Sequence, residues 1–236
     1  MTDLRDANID AASDDSARWL TPTEFLDFED PNVRTFALEA VGDATDDRTK
    51  AVRLFYAVRD GLWYDPYTSE RERGAFRASY IVGLDRSWCV PKSILLSAAA
   101  RAVGIPARLG FADVRNHLQS ETLQAKMGTD LFVFHGYSEL LIDGGWRKAS
   151  AAFNIELSER FGTKPLDFDG EHDALLHEYD QAGHRHMEYV NERGSFDDFP
   201  YDAMIEAFEE IYGPGMMSDG EGAGAVGDEM FDPNAG

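Results

Sequence analysis

Val52, Phe55, Tyr56 and Leu62 recur at roughly helical spacing, and the pattern predicts a helix over Asp46 to Leu62, ended by Trp63-Tyr64-Asp65-Pro66. A shorter helix is expected over Pro31 to Val41. From Cys89 to Val103 the chain is apolar nearly all round, with Ile94-Leu95-Leu96-Ser97-Ala98-Ala99-Ala100 at its centre, as suits a buried helix. Pro91 fits its first turn; Gly104 fits its C-terminal cap, and Pro106 bars continuation. Ala107 to Val114 then reads as a strand. Leu131 to Ile142 and Trp146 to Phe153 read as two more, joined at Asp143-Gly144-Gly145, a hairpin signal. Ile155 to Tyr212 mixes short segments and closes with a helix near Tyr201 to Ile211. Helices followed by an antiparallel sheet make an α+β domain.

The ends lack this patterning. Residues 1–18 are expected to be an acidic arm, residues 19–213 the folded domain, and residues 214–236 an acidic tail rich in Gly, Asp, Glu and Ala. There is no internal repeat. Apolar residues make up 43% of the chain, enough for a sizeable core. No apolar stretch approaches the ~20 residues that span a bilayer, and the N-terminus is acidic where a secretory signal would be basic, so a cytoplasmic protein is expected.

Charge narrows the partners. Forty-four acidic residues against 22 basic ones give a net charge of −22, which would repel a phosphate backbone and argues against nucleic acid. Only five of the basic residues are lysine. Dense carboxylate with scarce lysine resembles the surface of halophilic proteins, whose self-repulsion is screened by a salt-rich cytoplasm.

One cysteine, Cys89, excludes an intrachain disulfide and a cysteine-based zinc cluster. It falls at the predicted start of the buried helix, where backbone N–H groups and the helix dipole favour a thiolate; a thiol pKa below the ordinary ~8.5 is expected. His135, near the start of the first hairpin strand, is the candidate base, since a Cys and a His distant in sequence meet when a helix packs on a sheet.

Trp88-Cys89-Val90-Pro91-Lys92-Ser93, followed by Arg101 to Arg108, resembles the cysteine motif of the transglutaminase-like superfamily. His135-Gly136-Tyr137-Ser138-Glu139-Leu140, followed by Asp143-Gly144-Gly145-Trp146, resembles its histidine motif. The resemblance covers about Asp46 to Asn154. It implies a papain-like α+β core with the cysteine helix packed on an antiparallel sheet that bears the histidine, and chemistry on amides or peptides through a thioester acyl-enzyme. Carried over residue by residue, Cys89 would be the nucleophile, His135 the base and Glu139 a supporting residue, with Trp88 beside the cysteine where the family usually has Gly.

The third catalytic residue of that family is an Asp, and its place is held by Ser150. If Gly144-Gly145 form the turn, Asn154 lies opposite His135; if Asp143-Gly144 turn, Ala152 is opposite, with Ser150 and Asn154 diagonal. Asn154 is the favoured orienting partner, Ser150 the alternative, and a water or peptide oxygen a third. Trp63, Tyr64 and Trp88 are candidate walls of an acyl site, whereas Tyr137 and Trp146 read as hairpin packing. His172, Asp173, His177, Asp180, His184 and His186 lack helical metal-pair spacing and read as solvated surface residues. No cofactor and no metal is expected. The expected activity is a cysteine-dependent hydrolase or acyltransferase acting on a protein, peptide or small amide substrate, with no nucleic acid and no membrane as partner; the alternative is an eroded fold serving as a binding or scaffold module.

Overall fold

The computed structural model describes residues 16–117, 121–160, 162–214 and 217. Three α-helices precede the cysteine: α1 (Pro31–Val41), α2 (Asp47–Gly61) and the single turn α3 (Ala78–Ile81). Asp30 and Asp46 cap the first two, accepting from the backbone N–H groups of Asn32 and Thr49. Helix α4 (Cys89–Ala102) is the centre of the molecule, with every residue from Cys89 to Arg101 buried.

Two cations lie within that helix, and each is held by carbonyls. The Lys92 ammonium donates to the carbonyls of Arg59 (2.9 Å) and Leu62 (2.7 Å), capping the end of α2. The Arg101 guanidinium donates to the carbonyls of Ala107, Thr21 and Asp197. These carbonyls offset part of the cost of burial, which still lowers the pKa of Lys92 to about 7 and that of Arg101 to about 10.

Helix α4 packs on an antiparallel sheet of order β5-β4-β3-β6, built from β3 (Ala107–Asn116), β4 (Leu131–Ile142), β5 (Gly145–Ala149) and β6 (Met187–Phe196). The two-residue strands β1 (Trp63–Tyr64) and β2 (Arg86–Ser87) pair in parallel beside it. Asp143 and Gly144 both take positive φ (51° and 75°), the signature of a type I′ hairpin turn, and Ile142 pairs with Gly145. The helix sits close to β4 because Gly136 has no side chain: a Cβ there would lie 2.7 Å from Ser93 Oγ and 3.1 Å from Val90 Cα. Ser138 Oγ, two residues on, donates to the Ser93 carbonyl and meets Ser97 Oγ at 2.9 Å.

Short helices α5 (Glu121–Met127) and α6 (Ile155–Arg160) and the terminal helix α7 (Tyr201–Tyr212) complete the fold. The α+β architecture is the one the hydropathy pattern predicts. Three details differ. The second hairpin strand stops at Ala149 rather than Phe153, β6 and α5 carry no clear signal in the sequence, and Ser16–Leu20 forms a 3-10 helix where an arm was expected up to residue 18. Met217, assigned to the tail, is buried against the core. The rest of the expected arm and tail, residues 1–15, 215–216 and 218–236, lies outside the described residues. Among the described residues no helix is long and apolar enough to cross a membrane.

Candidate active site

Cys89 opens α4 with Trp88 at the N-cap position. The backbone N–H groups of Gly136, Val90 and Cys89 itself lie close enough to the sulfur to favour the thiolate, as does the charge of Lys92. Burial outweighs them. The thiol is 8% exposed, and desolvation pushes it up to about 11. The lowered pKa expected from the helix start is thereby corrected, because the dipole acts on a group that water barely reaches.

His135 directly precedes Gly136 on β4, and its side chain lines the same cavity as Cys89. Its aim depends on an irregularity: the β3–β4 register shifts between Ala112 and Val114, and Phe134 takes a left-handed φ of 55°. Asp113 stabilises that bend. Its Oδ1 accepts from the Phe134 N–H at 3.1 Å and from Arg193 Nε at 2.5 Å, while its Oδ2 accepts from Asn191 at 3.0 Å. Arg193 also lies over the Phe134 ring, 4.3 Å from its centroid. Asp113 and β6 thus fix the backbone that presents His135, a role no motif announces. Burial holds His135 neutral, its pKa down at about 4.

His135 Nε2 lies 3.3 Å from Ser150 Oγ, a long contact, and Ser150 is itself anchored through its N–H to the Ala174 carbonyl. The Asp143-Gly144 turn sets the register in which Ser150 and Asn154 are both diagonal to His135, and beyond Ala149 the strand pairing ends. Asn154 then turns away: its Oδ1 accepts from the Tyr64 N–H at 3.3 Å and its Nδ2 donates to Glu156 at 2.8 Å. The preference for Asn154 as the orienting residue is corrected on this geometry; Asn154 joins β1 to the start of α6.

Glu139 is likewise remote. Four residues along β4, roughly 13 Å from His135 at strand rise, it accepts from Arg108 Nε (2.5 Å) and Ser195 Oγ (3.0 Å) and so ties β4 to β3 and β6. Arg108 in turn stacks 4.1 Å over Trp146, which meets Trp19 edge-on at 4.8 Å. Tyr137 fills the space above Gly110, where a Cβ would collide with its ring.

Cys89 and His135 open onto one cavity of about 40 Å³, room for roughly three water-sized atoms. Tyr64 and Trp88 wall it, as expected; Trp63 does not. The remaining walls were not foreseen: Pro66 and Ser69 after β1, Leu123 and Met127 of α5, Phe132 and Val133 before the histidine, and Phe208 and Tyr212 of α7. Their apolar character reads only as core in the sequence. The Tyr212 hydroxyl accepts from the Val133 N–H (2.7 Å) and donates to the Leu131 carbonyl (3.0 Å), locking α7 to the strand that carries His135.

The downstream histidines divide. His172 and His184 are exposed and pair with Asp169 and Asp180. His186 is 4% exposed, stacks on Phe153 and is kept neutral by burial, with its pKa at about 4, contrary to the surface reading. No group of three or more His, Cys, Asp or Glu among the described residues is placed to hold a metal ion.

A model of the transglutaminase-like superfamily matches residues 34–151 of the chain, half its length and the whole of the Cys89–His135 unit. Two solved structures are similar at low identity. One is a candidate cysteine protease from Cytophaga hutchinsonii, 19% identical over 58% of this chain and 42% of its own, with a TM-score of 0.44. The other is a candidate protease from Parabacteroides distasonis, 16% identical over 58% of this chain and 26% of its own, with a TM-score of 0.38. The chain therefore spans less than half the length of either. No curated protein matches it.

Proposed function

We propose that this chain, which belongs to the transglutaminase-like superfamily, is a cysteine-dependent hydrolase or acyltransferase that opens amide or related acyl bonds through a thioester on Cys89. The observation that carries the reading is that a helix-start thiol and the neutral imidazole of His135 line one cavity. With its pKa at about 4, His135 is unprotonated at neutral pH and competent as a base. Ser150 Oγ stands at Nε2, so a ring that carries its hydrogen on Nε2 keeps Nδ1 as the nitrogen able to accept a proton.

In the acylation step the S–H proton passes to His135 as sulfur attacks the acyl carbon. The S–C bond forms, the bond to the leaving group breaks, and the imidazolium returns the proton to that group. Water, or another nucleophile, then cleaves the thioester and restores the thiol. The backbone amides that contact the sulfur lower the energy of the thiolate as it forms.

The test is single-turnover acylation by an activated ester, followed by intact mass. Wild type is expected to gain one acyl group on Cys89, Cys89→Ala none, and His135→Ala a rate lower by about 100-fold or more, in the range of general-base losses. A second reading, a binding module on an eroded fold, is favoured by one feature: the hydroxyl of Ser150 where the family has an acid. Unchanged acylation in Cys89→Ala, or none in wild type, would select it.

A further inference from the structure

The cavity over Cys89 also restricts what is transferred. None of its twelve lining residues is charged, in a chain where 28% of residues are. Tyr212 shows the cavity its ring, since its hydroxyl is spent on the Val133 N–H and the Leu131 carbonyl. A carboxylate or ammonium entering here would lose water and find no counter-charge among the lining residues, which is unfavourable; methylene groups would gain. The volume of about 40 Å³ offers room for roughly three water-sized atoms, and α5 and α7 wall it. Helix α7 lies beyond residues 34–151, so this wall belongs to the chain's own C-terminal part rather than to the matched core.

On the acyl-transfer reading above, we propose that the acyl group accepted by Cys89 is short, uncharged and apolar, two to four carbons long, held among Trp88, Met127, Phe132, Val133, Phe208 and Tyr212. Leu123, Tyr64, Pro66 and Ser69 also line the cavity. The leaving group stays outside this pocket, and selection acts on the acyl side of the scissile bond.

p-Nitrophenyl acetate, butyrate and octanoate and the mono-p-nitrophenyl ester of succinate form the test series. Butyrate and succinate have the same carbon number and differ in charge. Each single-turnover rate is divided by the rate of the same ester with free N-acetylcysteine, which removes intrinsic reactivity. Butyrate is expected to exceed both succinate and octanoate by at least tenfold, and Phe208→Leu to move the optimum toward longer chains. Equal normalised rates for butyrate and succinate, or octanoate fastest, would overturn the proposal while leaving acyl transfer intact. Absence of any acyl mass on Cys89, with iodoacetamide still labelling it at high pH, would overturn acyl transfer itself and the specificity with it. Should Phe208→Leu fail to fold, the wild-type series decides alone.

Discussion

At Ser150 a buried hydroxyl stands 3.3 Å from His135 Nε2, where a carboxylate would hold an imidazolium. Without that charge, desolvation rules both partners: the thiol rises to about 11 and the imidazole falls to about 4, so the resting pair is neutral rather than an ion pair. Alkylation of wild type by iodoacetamide should therefore be slow at pH 7 and still climbing above pH 9. Ser150→Asp would place a negative charge beside Nε2, favour the imidazolium, and shift the alkylation midpoint down by about two units or more, raising the rate at pH 7 at least tenfold. A pH–rate profile by intact mass checks this; superimposable profiles would mean Ser150 does not address the ring. Asn154→Ala should leave the profile alone and lower stability by roughly 1–3 kcal/mol, because the buried Tyr64 N–H loses its acceptor. Cys89 and His135 were legible as a pair from residue type and placement. Ser150 against Asn154 was not, since register logic applies only while strands pair, and β5 ends at Ala149.

At the scale of elements, the site is the meeting of α4 with β4, and Gly136 sets how closely they meet. Gly136→Ala would bring a methyl within 3.1 Å of the α4 backbone at Val90 and 3.3 Å of the Phe111 ring. The helix must then shift, at a cost of about 1–3 kcal/mol, and the amide contact to sulfur weakens. Acylation is expected to drop tenfold or more beyond any loss of folded protein, measured as single-turnover rate beside a urea midpoint; a fall in midpoint with an unchanged rate would detach the amide from the chemistry. The major helices and the hairpin were readable because each shows its own period and punctuation: Asp caps, Pro91, Gly104-Ile105-Pro106, Asp143-Gly144. Strand β6 was not. As an edge strand it is mostly solvated, and Met187–Phe196 carries Glu, Asn, Arg, Gly and Ser with no run of alternating apolar residues. The positive φ at Phe134 is equally silent, being imposed by Asp113 from a neighbouring strand.

Over the whole molecule, two buried histidines make stability depend on pH in the mildly acid range, and the net charge makes it depend on salt. His135 and His186 both have folded pKa values near 4, against 6.5 in an unfolded chain. Between those values the unfolded state binds more protons, so stability falls as pH drops from 6.5 to 4, by about 1.4 kcal/mol per pH unit for each ring. Thermal melts in molar KCl, where carboxylate repulsion is screened, should show Tm declining steadily across that window; a flat Tm would mean the rings titrate freely. The net charge of −22 has its own consequence. We propose that the fold depends on salt, because the screening length grows from ~3 Å at 1 M to ~30 Å at 0.01 M. Transfer from molar to millimolar KCl at neutral pH is expected to lower Tm by ten degrees or more, and an unchanged Tm would sever acidity from salt adaptation.

The Tyr212 hydroxyl straddles Val133 and Leu131, and the thiol beneath is 8% exposed. A reagent reaches Cys89 through the cavity that the C-terminal helix walls, so loosening that helix from the strand is expected to raise the observed rate. Traces of urea too dilute to unfold the chain would then quicken the reaction before higher concentrations abolish it. Substitutions that fasten the last helix more firmly would yield a hardier protein and a slower one, so that durability and turnover here are a single quantity viewed from opposite ends.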